Sequence, residues 1–231
     1  MKRIVSIIAL CFLINDIAFS QVITEAELER QTNFGNIKWK KKAKELSSTY
    51  KLNSFGELVI DTILERTGHS KEDLFQRVKG WVVSLTSNPQ YVIQHIDKDE
   101  GQIIASFYLP NIAKRSMGDN SYRVSIRPVV KLEFKENRVR FTYILQSYEV
   151  LKKNDDSGYG LHVGGGIVVT GNGVTQKQLL WKVKDCFPYA QSSTHPEVTS
   201  SRALVNSVAC YEILCKKVDD ALYWNIQHND W

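Results

Sequence analysis

The sequence has few of the residues that mark a specialised class of protein. It contains four cysteines and five prolines in 231 residues, too few cysteines for a disulfide-built miniprotein. Its 13 glycines and 10% aromatic residues exclude collagen-like and low-complexity chains. The formal net charge of +5 is small for a protein dedicated to nucleic acids. With 43% hydrophobic and 24% charged residues, the composition predicts a globular protein of one or two domains.

Motifs for metal, nucleotide and covalent chemistry are also missing. The five histidines form no pair at a spacing of three or four residues, and neither H-E-x-x-H nor C-x-x-C occurs, so no metal site is predicted. Gly164, Gly165 and Gly166 precede a strand-like run and lack the lysine of a P-loop. No G-x-S-x-G is present. We predict no cofactor and no enzymatic activity; a hydrolase with dispersed active-site residues is the alternative.

The first twenty residues have the features of a secretory signal peptide. Residues 2–3 are basic, residues 4–14 are apolar except for one serine, and residues 18–20 match the small-x-small cleavage pattern. A membrane anchor would need about 20 apolar residues. We predict cleavage between Ser20 and Gln21, and export to the periplasm or cell envelope. A lipoprotein modified at Cys11 is the alternative.

Residues 21–54 hold most of the positive charge that would remain after cleavage. They contain seven basic and four acidic residues, and residues 37–46 can form a short helix. We interpret this basic N-terminal extension as a solvated, partly mobile segment. A basic arm for anionic partners, such as lipid headgroups or cell-wall polymers, is the alternative.

The rest of the chain, residues 55–231, is predicted to be one α+β domain. Branched residues predict a strand over 58–64. Ser70 and the acids after it indicate a helix start, and the apolar spacing from Leu74 to Leu85 predicts a helix that ends before Pro89.

Two hairpins are predicted next. The first joins strands 91–96 and 102–109, and the second joins strands 122–134 and 138–150. Alternation in the second hairpin places apolar residues on one face of an antiparallel sheet and polar residues on the other, which meets water. Five basic residues on this polar face are the candidate binding residues for an anionic ligand or partner: Arg123, Arg127, Lys131, Arg138 and Arg140.

The last third of the chain is predicted to contain a glycine-rich insertion, residues 157–175, followed by a short helix or strand over 178–183. A helix over about 200–226 completes it, because apolar residues recur there at alternating spacings of four and three. That seam suits one helix packed on the sheet. A homo-oligomer assembled along the seam is the alternative. Its members are Leu204, Val208, Tyr211, Cys215, Val218 and Leu222.

Three cysteines remain after cleavage of the signal peptide. Cys210 and Cys215 lie about 140° apart around the predicted helix, so they should not bond to each other. Cys186 is free to form a disulfide with either of them, which would stabilise the fold by roughly 3 kcal/mol. Three reduced thiols are the alternative.

The order β-α-β-β-β-β, insertion, α resembles a family of secreted bacterial domains of unknown function with a TATA-binding-protein-like (TBP-like) fold. The resemblance covers residues 55–151. It rests on the first strand, the helix start at residues 70–75, Val78-Lys79-Gly80-Trp81, the strand at 91–94, residues 101–104 and Phe141-Thr142-Tyr143. It implies an antiparallel sheet with helices on one face and an exported protein, and it implies no known reaction.

The function predicted at this point is an exported, non-catalytic binding or structural module of the cell envelope. Its expected partner is an anionic envelope component or a protein that contacts the basic sheet face. Nucleic acid is not expected as a physiological partner, because the predicted export argues against DNA and the sequence does not show the phenylalanine wedges that such binding uses. No later run of residues is long enough to span a membrane.

Overall fold

The computed structural model describes residues 22–32, 38–85, 89–117, 120–156, 173–191 and 195–223. The helices are α1 (Glu25–Thr32), α2 (Trp39–Thr49), α3 (Lys71–Ser84), α4 (Val183–Cys186) and α5 (Glu197–Leu222). The strands are β1 (Leu58–Glu65), β2 (Ile93–Asp97), β3 (Gln102–Ser106), β4 (Leu109–Met117), β5 (Asn120–Ile126), β6 (Val129–Lys135), β7 (Arg138–Leu145), β8 (Ser147–Asp156) and β9 (Gly173–Lys182).

The predicted helix start at Ser70 is confirmed. Ser70 is the N-cap of α3, and its side-chain oxygen accepts a hydrogen bond from the backbone N–H of Asp73. This contact satisfies one of the amide groups that the first helical turn leaves unpaired. The helix then buries one apolar side, which includes Leu74, Val78 and Trp81.

The strands form two antiparallel sheets that are halves of one bent meander. The five-stranded sheet has the order β1-β7-β6-β3-β2, and the four-stranded sheet has the order β4-β5-β8-β9. Three neighbours in one sheet, β7, β6 and β3, continue along the chain into three neighbours in the other, β8, β5 and β4. Each of three long strands therefore bends once, and all three bend at the same level.

The predicted second hairpin is wrong in treating its two strands as continuous, because each of them is divided by a bend. The predicted strand 122–134 is divided into β5 and β6, and the predicted strand 138–150 into β7 and β8. Pro128 lies at the bend between β5 and β6 and has no N–H to pair with a neighbouring strand. β4 was not predicted at all: Pro110 interrupts its alternation, and Asn111 has a φ of 54°.

Helix α5 packs against both sheets. In its N-terminal half, the Asn206 amide donates a hydrogen bond to the Ile112 carbonyl of β4. In its C-terminal half, the Tyr211 hydroxyl hydrogen-bonds to Thr62 of β1, and the Tyr211 ring packs against Phe141 and Tyr143 of β7. The helix therefore crosses the bend and joins the two halves of the meander.

The predicted C-terminal helix is confirmed, but its seam does not face a second copy of the chain. Leu204, Val208, Val218 and Leu222 are each at most 2% exposed, and Tyr211 is 8% exposed. These side chains belong to the core between helix and sheet. The alternative of a homo-oligomer built along this seam is therefore wrong.

The N-terminal segment is not the solvated, partly mobile extension that its charge predicted. Over its described residues it forms α1 and α2, both of which pack against α5. Val22, Ile23, Leu28 and Ala43 are buried in the core. Its charges are partly neutralised, since the Lys40 ammonium lies 2.5 Å from Glu197 of α5.

Two predicted segments lie outside the described residues. These are the signal peptide, residues 1–20, and residues 157–172 of the glycine-rich insertion, which join β8 to β9. The remaining insertion residues begin β9, so the region predicted as a short helix or strand over 178–183 is mainly strand. Within the described part of the chain, no helix is long and apolar enough to cross a membrane.

The two faces of the five-stranded sheet should respond differently to truncation of a side chain. Leu132 on β6 is 1% exposed and faces the helices, whereas Ile63 on β1 is 56% exposed on the other face. We expect Leu132→Ala to lower the free energy of unfolding by about 2–5 kcal/mol. The matched Ile63→Ala should change it by less than about 1 kcal/mol. Urea denaturation of both variants measures this, and equal losses would contradict the assigned faces.

Candidate functional site

The candidate site is the outer face of the five-stranded sheet, the face opposite the helices. Strand register defines it, because alternate residues of paired strands lie on the same face. The register forms four rows, each with one residue from β1, one from β7 and one from β6. In that order the rows are Val59-Ile144-Val129, Asp61-Thr142-Lys131, Ile63-Arg140-Glu133 and Glu65-Arg138-Lys135. On β3, Gln102, Ile104 and Ser106 continue these rows. We refer to these residues as the outer face.

The outer face is apolar near the bend and charged at the far end. Val59, Ile144 and Val129 are half-buried beside the bend. Arg138, Lys135 and Glu65 are exposed at the opposite end. No helix of the described chain packs on this side, because the contacts of α3 and α5 with the sheet are made through its buried face.

The structure brings three of the five candidate residues together. Lys131, Arg138 and Arg140 lie on the outer face. Arg127 lies at the bend, and Arg123 lies beyond it on β5 of the four-stranded sheet. The five residues therefore do not form one compact cluster, since the strand that was predicted to carry three of them bends between two sheets.

Acidic neighbours neutralise most of these cations. A guanidinium nitrogen of Arg140 lies 3.0 Å from an Asp61 oxygen, and the Lys131 ammonium lies 3.0 Å from Glu133. Arg127 lies 3.3 Å from Glu149 and places its guanidinium 4.8 Å from the centre of the Tyr108 ring. The charged side chains of the outer face therefore lie mostly in pairs of opposite sign.

Asp61 is a residue of the outer face that the sequence did not indicate as part of the candidate site. Besides pairing with Arg140, its carboxylate accepts a hydrogen bond of 2.5 Å from the Thr142 hydroxyl. A lone acid in a strand of branched residues was the available signal. Its importance depends on the β1–β7 register, which joins distant parts of the chain.

Arg138 differs from Arg127, Lys131 and Arg140. It is exposed, and no ion pair joins it to any described residue. Lys135 lies directly opposite it on β6, and Glu65 lies opposite it on β1, so this row carries two cations and one acid. Like charges placed opposite each other on neighbouring strands are unfavourable unless an anion lies between them. This end of the outer face is therefore the part best suited to an acidic group.

Two histidines and the charges of one groove make contacts within the described part of the protein. No group of three or more His, Cys, Asp or Glu within them is arranged to hold a metal. His69 hydrogen-bonds to Asp73, and the His195 ring packs against Trp181. A groove of about 470 Å³ lies between α1 and α5, but its charges bind each other, as in the 2.7 Å contact of Lys217 with Glu27.

The candidate disulfide is not formed in the structure, where Cys186, Cys210 and Cys215 carry free thiols. Burial raises the pKa of Cys186 to about 12 and that of Cys215 to about 11, with nearby Asp185 and Asp219 adding to the respective effects. Burial also raises the pKa of Cys210, which lies in the core. The thiol form of each cysteine is therefore favoured.

These pKa directions predict slow alkylation of the folded protein. Only the thiolate reacts, so near pH 8 a thiol with a pKa of about 11 is ionised in roughly one molecule in a thousand. We expect each thiol to react at least about a hundredfold more slowly in the folded than in the urea-unfolded protein, with the rate rising about tenfold per pH unit. Mass spectrometry after timed alkylation measures this. A thiol that reacts rapidly, or a disulfide-linked peptide, would contradict the assignment.

Comparison with known proteins places this sheet in a known domain family. Residues 61–148 match the model of the family described as "Domain of unknown function (DUF4468) with TBP-like fold". The match runs from β1 to the beginning of β8 and includes α3. It confirms the resemblance on which the predicted fold was based.

Two solved structures are similar to the chain at low identity. One is a TBP-like protein from Parabacteroides distasonis ATCC 8503, with 12% identity, a TM-score of 0.49, and coverage of 74% of this chain and 96% of that one. The other is a DUF4468 family protein from Bacteroides ovatus ATCC 8483, with 11% identity, a TM-score of 0.44, and coverage of 77% and 95%. No curated protein matches the chain. From β1 to the beginning of β8, the chain contains a DUF4468-family domain with a TBP-like fold.

Proposed function

We propose that the protein is a non-catalytic binding module that holds a protein partner on the outer face of its five-stranded sheet. One observation carries the proposal: helices cover one face of the sheet, and the other face is open over the described residues. That open face combines an aliphatic end with a charged end. A protein partner can satisfy both ends at once, since interfaces join an apolar centre to a polar rim.

The ion pairs favour a protein over a small anion as the ligand. Arg140 and Lys131 already have carboxylate partners on the sheet, so an incoming anion would have to compete with Asp61 and Glu133. Arg138 and Lys135 outnumber Glu65, the one acid in their row, and are the cations available to an acidic group. We therefore infer that the partner places acidic side chains at this end and apolar side chains over Val59 and Ile144.

Ile63 gives the face an exposed aliphatic side chain beside these charges. It is 56% exposed, and its register partner is Arg140. A partner that covers both would remove apolar surface from water while its polar groups pair with the rim. This arrangement supports a binding role, and that role does not involve a chemical reaction.

We further propose that the protein acts in the cell envelope after export. The support is the sequence of residues 1–20, whose basic start, apolar run and small-x-small end match a secretory signal. The partner would then be an envelope protein with an acidic segment.

The binding proposal can be tested by photo-crosslinking in cells. A benzophenone amino acid at position 63 should give a discrete adduct with one partner, whereas the same group at Val83, which is exposed on α3, should not. With the identified partner, Arg138→Glu should weaken binding by about tenfold or more, and the effect should shrink at high salt.

Lys41→Glu on α2, where the lysine side chain is 75% exposed, is the matched control and should leave binding unchanged. Equal adducts from positions 63 and 83, or equal affinity of the Arg138→Glu and Lys41→Glu variants, would contradict the proposal.

Export predicts a specific N-terminus. We expect the protein recovered from the periplasmic or envelope fraction to begin at Gln21, because signal peptidase cuts after a small-x-small sequence. N-terminal sequencing by mass spectrometry measures this. Replacing Ala18 by a bulky residue should cause the uncut precursor to accumulate. An intact N-terminus in the cytoplasmic fraction would show that the protein is not exported.

A further inference from the structure

The two edges of the four-stranded sheet are finished differently. On the β4 edge, the Arg202 guanidinium of α5 donates a 2.9 Å hydrogen bond to the Lys114 carbonyl, and the Asn206 amide donates to the Ile112 carbonyl. Helix α5 thus occupies backbone acceptors that an edge strand would otherwise present. Covering an edge in this way prevents it from pairing with another chain.

The β9 edge has no comparable cover among the described residues. β9 runs for ten residues, Gly173–Lys182, in unbroken register with β8. No hydrogen bond joins its outer edge to any other described residue. In an edge strand, alternate residues direct their N–H and C=O groups away from the sheet. β9 is therefore a template for one more strand.

The edges of the five-stranded sheet are less suited to such pairing. β2 has five residues, and its register is irregular between Ile93 and His95. β1 has eight residues, and its first residue, Leu58, is bridged by Leu52. Short, irregular or bridged edges are the usual protections of a sheet. β9 is longer than both and regular throughout.

The charge along β9 selects the kind of strand that could join it. The strand contains Lys177 and Lys182 and no acidic residue. Lys177 pairs in register with Lys152 of β8, and the same row continues to Tyr122 and Arg115. The Lys152 ammonium lies 5.8 Å from the centre of the Tyr122 ring. Lysines directly opposite each other repel unless an anion is near.

We propose that β9 binds an extended, acidic segment of a partner protein, which adds to the sheet as a further strand. Its backbone pairs with the open edge, and an Asp or Glu lies opposite Lys177 on the face that carries Lys152. An apolar residue lies opposite Leu180, whose side chain is 66% exposed on the other face. Recognition of this kind draws affinity from backbone hydrogen bonds and specificity from alternate side chains.

A second copy of the chain is a poorer occupant of the same edge. Pairing of β9 with another β9 would bring together two strands that each carry two lysines and no acid. An acidic segment neutralises those lysines, whereas a second copy doubles their repulsion. The site is separate from the outer face of the five-stranded sheet, so the failure of either proposal leaves the other intact.

The test uses the full mature chain and a capped octapeptide of alternating Glu and Val, which places its acids on one face and its valines on the other. We expect saturable binding, with slowed hydrogen exchange at alternate backbone amides of β9. An octapeptide of alternating Lys and Val should bind at least about tenfold more weakly. Lys177→Glu should weaken binding of the acidic peptide by a similar factor.

Lys41→Glu is again the matched control, because this lysine is also exposed but lies on α2, outside both sheets. It should not change the affinity. Three results would overturn the proposal: slowed exchange outside β9, equal binding of the two peptides, or equal affinity of the Lys177→Glu and Lys41→Glu variants. A concentration-dependent dimer that slows exchange at β9 without peptide would identify a second copy as the occupant instead.

Discussion

Burial of α5 against both halves of the meander is the interaction on which the rest of the structure depends. Serine, threonine and alanine occupy much of its N-terminal half, and Thr199, Ser200, Ser201 and Ala203 are each at most 1% exposed. Small side chains let other elements approach this part of the helix from several sides. Farther along, Tyr211 and Leu214 fill the space over the five-stranded sheet. One helix therefore sets the position of the two sheets and of α1, α2 and α3 around it.

The same arrangement decides which surfaces remain for binding. Because α3 and α5 lie on one side of the sheets, the opposite side is left to paired charges and half-buried aliphatic residues. Because α5 also reaches the β4 edge, the β9 edge is the one that its side chains do not occupy. Both proposed binding surfaces are thus consequences of where one helix lies. Neither requires a pocket, which agrees with the internally paired charges of the groove beside α1.

The sequence predicted those features that depend on neighbours along the chain. The cap at Ser70, the alternation of Val139, Phe141 and Tyr143, and the apolar seam of α5 each report local geometry, and the structure confirms them. The bend between β5 and β6 did not follow from the pattern, because strand alternation continues in phase through Arg127 and Pro128 while the backbone changes sheet.

Ion pairs between residues far apart in the sequence could not be predicted either. The neutralisation of Arg140 by Asp61 depends on β1 lying beside β7. The five candidate cations were chosen from strands treated as straight and continuous. Position in a bent sheet separated Arg123 and Arg127 from the others.

The order of the strands also has a kinetic consequence. The meander from β3 to β8 consists of three long bent strands joined by two hairpin turns, between β4 and β5 and between β6 and β7, which close short loops. β1 is different: Leu58 pairs with Leu145, and α1 packs on a helix from the other end of the chain. Loop-closure entropy must be paid before such distant contacts stabilise anything, and proteins dominated by them fold slowly, over milliseconds to seconds. The hairpins of the bent meander are therefore expected to form first, and docking of β1 and α5 to limit the folding rate.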